Sequence, residues 1–393
     1  MDTIFIDSAP AEQVVELATY ISSLRGDEEQ ALVKEVTPIV EAEKLTEATK
    51  VILRESKTLL ESPEREFEGA FNLLAALVMA NEDKALLAEV LKIVSSDANQ
   101  KTAIKFKVLS NIFNILPANS AQRLTVFSTI VDLAAASDEI DLVIPQLPYV
   151  SAWIQEWGVS VDEERALYLS LSDRLKETGN TKQSLDLLLK YLTTFNGASQ
   201  LDAQKPLATR AVVESLGAAD ELNFENLLKI DAIQHLKGEK VYELLSVFLN
   251  GNVQDYRQLV AKHTGLVGEL KLDDEENLRK MRLLSLASLG SEHLTRELGY
   301  AQIAEALEIS EDEVEMWVID VIRAGLVEAK LNQVAKTAII NRSIYRTFGN
   351  AQWQQLHTRL EGWKQSLQDI LQVVANAKLT TDAAISTAVV TNN

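Results

Sequence analysis

Between Leu326 and Asn341 lies the one stretch of this sequence that reads as paired strands, and the segments before it carry the three- and four-residue apolar spacing of helices. With a single short hairpin, a chain of 393 residues cannot be built around a sheet, so its interior must come from helix packed on helix. All seven prolines lie at or before Pro206, leaving the rest of the chain free of the residue that most strongly breaks helices. Single hydrophobic cores stop growing at roughly 250–300 residues, so two regions or a repeat array are expected.

The repeat reading comes from paired stripes. Phe71, Leu74, Leu77 and Val78 form one, and Leu86, Leu87, Val90, Leu91 and Val94 the next, across the polar turn Asn81-Glu82-Asp83. The same rhythm returns over residues 104–116, 124–136, 166–175 and 185–192, with Gly179 in Thr178-Gly179-Asn180 placed as a left-handed cap between helices. One helix pair in about 35–40 residues is the period of tetratricopeptide and HEAT-like solenoids. The expected fold is therefore all-α with a small winged-helix hairpin: a right-handed helical-repeat array over 1–277, a winged helix over 278–348, a bundling helix over 349–378 and a disordered tail over 379–393. An irregular helical domain is the plainer alternative to the array.

From Leu278 the pattern changes. Leu278–Leu289 reads as a helix with Met281, Leu284, Ala287 and Ser288 inward, ending at Gly290. His293-Leu294-Thr295 leads to a second helix near Ala301–Leu307, with Ile303, Ala306 and Leu307 apolar. Ser310 with Glu313 makes the capping box of a third, whose Val314, Trp317, Val318, Val321 and Ile322 form the winged-helix core stripe, and Gly325 stops it. Leu326–Leu331 and Thr337–Asn341 then read as two strands around Asn332-Gln333. Three helices and a hairpin suggest a relative of helix-turn-helix readers. The third helix nonetheless carries Glu311, Asp312, Glu313, Glu315 and Asp320 against Arg323 alone, which sets carboxylates against a phosphate-lined groove.

Trp353, Leu356, Leu360, Trp363, Leu367, Ile370 and Val374 follow at intervals of 3, 4, 3, 4, 3 and 4. That alternation is a coiled-coil seam, and a single helix buries it only against its own domain or against helices of other chains. These seven residues are the expected partner-binding surface, with the two tryptophans as anchors.

Little else in the chain suggests chemistry. There is no cysteine, which removes disulfides, thiolate zinc sites and cysteine nucleophiles and fits a reducing compartment such as the cytoplasm. His235, His263, His293 and His357 form no local metal motif, and no glycine-rich phosphate loop or GxSxG elbow occurs. Asp273-Asp274-Glu275-Glu276 lacks the spacing of a calcium loop and reads as an acidic helix start. No catalytic residue, cofactor, metal, small-molecule substrate or membrane span is expected, and Asn341-Arg342-Ser343 is read as a chance sequon. The 38 basic and 58 acidic residues give a formal charge of −20, which repels nucleic acid globally. From Lys330 onward, however, Lys330, Lys336, Arg342, Arg346, Arg359, Lys364 and Lys378 outnumber Glu361, Asp369 and Asp382, so weak RNA contact there stays open.

Several stretches carry a family likeness: Arg279-Lys280-Met281-Arg282-Leu283-Leu284, Val318-Ile319-Asp320-Val321-Ile322-Arg323, Arg346-Thr347-Phe348-Gly349, Gln352-Trp353-Gln354-Gln355-Leu356 and Trp363-Lys364. Phe5-Ile6-Asp7 and Val108-Leu109-Ser110-Asn111-Ile112-Phe113 extend it toward the N-terminus. Together they resemble the PCI family, shared by the proteasome lid, the COP9 signalosome and initiation factor 3, and within it the initiation factor 3 branch. The resemblance implies a non-enzymatic scaffold whose winged helix stacks on those of other subunits and whose last helix joins a common bundle. It implies other PCI and MPN subunits as partners, the 40S ribosomal subunit through the complex, and support for recruitment of mRNA and initiator tRNA. An equivalent signalosome subunit and a direct RNA-binding subunit using the segment after Lys330 remain alternatives.

Overall fold

The computed structural model describes residues 9–27, 29–81, 84–96, 101–197, 201–292 and 297–391. Phe5-Ile6-Asp7, Glu82, Asp83 and His293-Leu294-Thr295 lie outside the described residues. The helices run α1 (Pro10–Arg25), α2 (Ala31–Glu41), α3 (Leu45–Glu55), α4 (Glu64–Ala80), α5 (Lys84–Val94), α6 (Thr102–Ile115) and α7 (Gln122–Ala136). Next come α8 (Val150–Trp157), α9 (Val161–Glu177), α10 (Thr181–Thr193), α11 (Lys205–Gly217), α12 (Asp231–Gln234), α13 (Lys240–Asn250), α14 (Val253–Lys262) and α15 (Leu266–Glu269). The order closes α16 (Asp274–Glu292), β1 (Glu297–Gly299), α17 (Tyr300–Leu307), α18 (Val314–Arg323), β2 (Val327–Asn332), β3 (Thr337–Ser343) and α19 (Asn350–Thr391).

Packing divides the chain into two compact units, Met1–Glu214 with Ile230–His235 and Ser215–Lys229 with Leu236–Asn393. The first is the helical array. Phe71, Leu74, Leu77 and Val78 of α4 and Leu86, Leu87, Val90, Leu91 and Val94 of α5 are all buried in one apolar cluster, as the two stripes require. Gly179 takes φ +84°, the left-handed conformation that an L side chain resists, and so turns the chain from α9 into α10. Those helices approach closely enough for Ser172 and Ser184 to exchange hydroxyl-to-carbonyl hydrogen bonds of 2.9 and 2.7 Å. Small side chains at the crossing make that approach possible.

In the second unit α16 is the central strut. The sequence reading divided the chain at 277/278, whereas the segment Ser215–Lys229 and the helices from α13 onward group with the winged helix, and the reason is a set of polar and aromatic ties. Lys280 Nζ donates to the carbonyls of Leu216 at 2.6 Å and Ala218 at 2.5 Å. Tyr256 OH donates to Asp274 Oδ1 at 2.7 Å, and Phe248 meets both Phe224 and Tyr256 edge-on.

Met281, Leu284 and Ala287 of α16 are buried as expected, but the helix runs through Gly290 to Glu292. The glycine is there for clearance, not termination: a Cβ on Gly290 would sit 3.3 Å from Ile340 Cγ2 and 3.6 Å from Ser343 Cβ of β3. The sheet has order β1-β3-β2, all antiparallel, with Leu298 and Leu331 both opposite Ala338 and a register shift at Glu328/Ala329. Strand β1 escaped the sequence reading because three residues are too few to show alternation.

Helix α19 also differs from expectation. It continues to Thr391, so 379–391, read as a disordered tail, are helical. Ala383, Ala384 and Ala388 favour helix locally, since alanine loses least on entering one.

Candidate helix-bundling surface

How α19 is launched determines what it can offer. Below the hairpin, the linker from Ile344 to Gly349 is fastened by Arg346. Its guanidinium donates from Nε to Leu284 O at 3.0 Å and from Nη1 to Gly251 O at 2.6 Å and Phe248 O at 3.4 Å. Burial pushes the Arg346 pKa down to about 10, with the carboxylate of Glu292 opposing the fall. An arginine fits this place because three carbonyls, two of them at the C-terminal end of α13, supply acceptors and a negative helix pole. Thr347 Oγ1 adds a bond to Asn250 Oδ1 at 3.2 Å. At the start of α19, Gly349 N donates to Gln352 Oε1 at 3.0 Å, and Phe348 packs perpendicular to Trp353 with centroids 4.9 Å apart.

Beyond Arg359, which reaches Tyr345 OH at 3.4 Å and Ser291 O at 3.5 Å, the helix leaves the unit. Every side chain from Leu360 to Lys378 is exposed. Trp353 is 59% exposed, Trp363 65% and Leu367 61%, and Leu356, Leu360, Ile370 and Val374 are exposed with them. All seven seam residues therefore lie on one helix, and none is buried by this chain. Leu371 and Val373, which the seam omitted, are exposed beside it. Scattered apolar side chains on a surface need no explanation, but a continuous stripe in heptad spacing does.

The winged-helix stripe divides differently. Val314, Trp317, Val318 and Val321 are buried with Leu286, Leu298, Ile303, Leu307 and Ile340. The guanidinium of Arg282 lies 5.1 Å over the Trp317 ring. Ile322 does not belong to that core. It is 36% exposed, and with Met316 and Ile319 it forms a second apolar row on the outer face of α18. Steps of +7 and +8 from Val314 fall on adjacent rows of a helix, and only the former, Val321, points inward. The capping box exists as read, with Ser310 N donating to Glu313 Oε2 at 3.1 Å, and Gly325 takes φ +72°.

Elsewhere three of the four histidines each meet a carboxylate. His235 meets Asp202 at 3.0 Å, His263 meets Glu243 at 3.2 Å and His357 meets Glu361 at 3.4 Å; His293 lies outside the described residues. No group of acids and histidines among the described residues could hold a metal ion. The acidic run opens α16, with Asp273 Oδ1 accepting from Glu275 N at 2.9 Å. Of the seven basic residues from Lys330 onward, Lys336 pairs with Glu311, Arg342 with Glu328, and Arg346 is spent on carbonyls. No described helix is long and apolar enough to cross a membrane.

Sequence reasoning missed the fastening role of Arg346 and the tie made by Lys280. Neither lies in a motif, and their partners are backbone carbonyls 62 to 98 residues away, which no local pattern encodes.

Residues 346–374 match the family model described as eIF3 subunit M, C-terminal helix, a span that opens on the fastening arginine and closes on the last seam residue. Residues 260–342 match the PCI domain. Proteins named eukaryotic translation initiation factor 3 subunit M resemble the chain along most of its length. One from Phaeosphaeria nodorum is 36% identical, covering 96% of this chain and 89% of its own. One from Dictyostelium discoideum is 32% identical, covering 96% and 97%. One from Schizosaccharomyces pombe is 30% identical, covering 94% and 91%.

Proposed function

The chain belongs to the family of eukaryotic translation initiation factor 3 subunit M, and from that premise we propose that it is a non-catalytic assembly subunit whose last helix joins a bundle with helices of other subunits. The observation that carries this reading is the bare seam from Trp353 to Val374 on a helix fastened at one end and free of its own domain beyond Arg359. Side chains of that size, in heptad register, lose free energy in water and regain it by interdigitating with a partner helix. Other PCI and MPN subunits of the factor are the proposed partners. The 40S ribosomal subunit is reached through the complex, where the chain supports recruitment of mRNA and initiator tRNA in the cytoplasm.

Non-catalytic action rests on positive uses for the polar groups. His235, His263 and His357 each contact a carboxylate, the buried lysine and arginine hold carbonyls, and the acidic run starts a helix. Direct RNA binding through the segment after Lys330 is the weaker reading, because its basic residues are partly committed within the fold.

Affinity purification of the tagged chain tests the proposal. Initiation factor 3 subunits should co-purify at constant ratio through a salt wash that strips nucleic acid. Recovery of signalosome subunits instead, or of RNA without the other factor subunits, contradicts it.

A further inference from the structure

A second surface lies in the first helical hairpin, on the array unit and independent of the C-terminal seam. Helix α1 commits Val14, Leu17, Ala18 and Ile21 to the core. One position further round, Ala11, Val15 and Thr19 line a groove against Thr37 and Val40 of α2, with a volume of about 560 Å³. Both threonine hydroxyls are used within their own helices, Thr19 Oγ1 donating to Val15 O at 2.8 Å and Thr37 Oγ1 to Val33 O at 2.7 Å. The groove is thus floored by methyl groups, with Val15, Thr37 and Val40 half-buried along it and Thr19 exposed.

The rim decides what fits. Glu12, Glu16 and Glu41 stand along it, all exposed, with no ion-pair partner among the described residues, and no basic side chain lines the groove. Glu41 also ends α2, so the negative pole of that helix adds to the same field. At a rise of 1.5 Å per residue the row from Ala11 to Thr19 is about 12 Å long, roughly two turns of a docked helix.

We propose that this groove receives a basic amphipathic helix of a partner protein, which lays aliphatic residues at three- and four-residue spacing on Ala11, Val15 and Val40 and sets lysine or arginine flanks against Glu12, Glu16 and Glu41. Charge separates this occupant from two others. The apolar stretch Ile4-Phe5-Ile6 of this chain is flanked by Asp2 and Asp7, which would bring two more carboxylates to an acidic rim. A second copy meeting the groove isologously would oppose glutamates to glutamates.

The test uses the full-length chain and a fluorescein-labelled synthetic peptide of about 18 residues, with leucines at helical spacing and lysines on the flanks, followed by anisotropy. The lysine peptide should bind and its glutamate counterpart should not. The triple variant Glu12→Gln, Glu16→Gln, Glu41→Gln should weaken binding about tenfold or more. The variant Glu139→Gln, Asp141→Asn, Glu156→Gln removes the same charge from exposed positions elsewhere on the unit, with no ion-pair partner among the described residues, and should leave binding unchanged. Val15→Ser should weaken it while salt dependence persists. Equal loss in both triple variants would reduce the effect to attraction by the net charge of −20 and overturn the proposal. Failure of the lysine peptide to bind would overturn it too. Binding that appears only after removal of residues 1–8 would assign the groove to that segment, and association of the chain that depends on Val15 would assign it to a second copy; either result contradicts the proposed occupant.

Discussion

The guanidinium of Arg346 donates to the backbone oxygen of Gly251 at 2.6 Å, so the residue that launches the last helix also closes the C-terminal end of α13. The same side chain reaches Leu284 O on α16 at 3.0 Å. Three elements far apart in sequence are thereby fixed by one planar fork of donors. Arg346→Met keeps the bulk and leaves carbonyls without partners, so it should destabilise the second unit by about 1–3 kcal/mol. Arg346→Lys should recover part of the loss, since one ammonium cannot reach all three acceptors. Urea unfolding of both variants checks the order wild type, lysine, methionine.

Lys280 gives a pH signature. Burial lowers its pKa from 10.5 to about 8, so between those values the unfolded chain holds a proton that the folded chain has released. Stability from this group therefore rises with pH from about 8 to 10.5 and falls as pH drops back through 8. The difference in unfolding free energy between wild type and Lys280→Met should shift toward wild type across that window, by an amount on the order of 3 kcal/mol. A flat difference would show that the ammonium is not desolvated as its burial implies.

Trp317 and Ile322 lie on one helix and should answer differently. Trp317 is 8% exposed and central to the winged-helix core, so Trp317→Asp should cost about 3–5 kcal/mol. Ile322→Asp, on the outer row, should change stability by no more than about 0.5 kcal/mol. Thermal melts of the two variants make the comparison directly.

Gly290 should tolerate alanine better than any branched residue. A Cβ there lies 3.3 Å from Ile340 Cγ2, so Gly290→Ala asks β3 to give by a few tenths of an ångström while gaining helix propensity of about 1 kcal/mol. Gly290→Val drives two further methyl groups toward the strand and should cost about 1–3 kcal/mol, read by the same melts.

These four sites mark where the sequence was legible and where it was not. The paired stripes of α4 and α5, the capping box at Ser310, the left-handed turn at Gly179 and the seam of α19 were readable because each depends on residues within one or two turns of one another. Gly290 misled because a glycine that admits a strand looks, in sequence, like a glycine that ends a helix. Ile322 misled because one further step carries a stripe from the buried to the open side. Arg346 and Lys280 gave no signal at all, since backbone oxygens distant in sequence carry no side-chain pattern. The seven residues of the candidate surface could be listed from their spacing alone, whereas their exposure, and that of Leu371 and Val373 beside them, required the folded unit.

The most direct measurement replaces Trp363 and Leu367, one at a time, by aspartate in the tagged chain and follows co-purification of the other initiation factor 3 subunits together with circular dichroism of the isolated protein. A seam that serves assembly predicts loss of the partner subunits with helicity and melting temperature nearly unchanged, because both side chains are more than half exposed in this chain alone. Full recovery of the partners, or collapse of the helical signal before any partner is added, would contradict it.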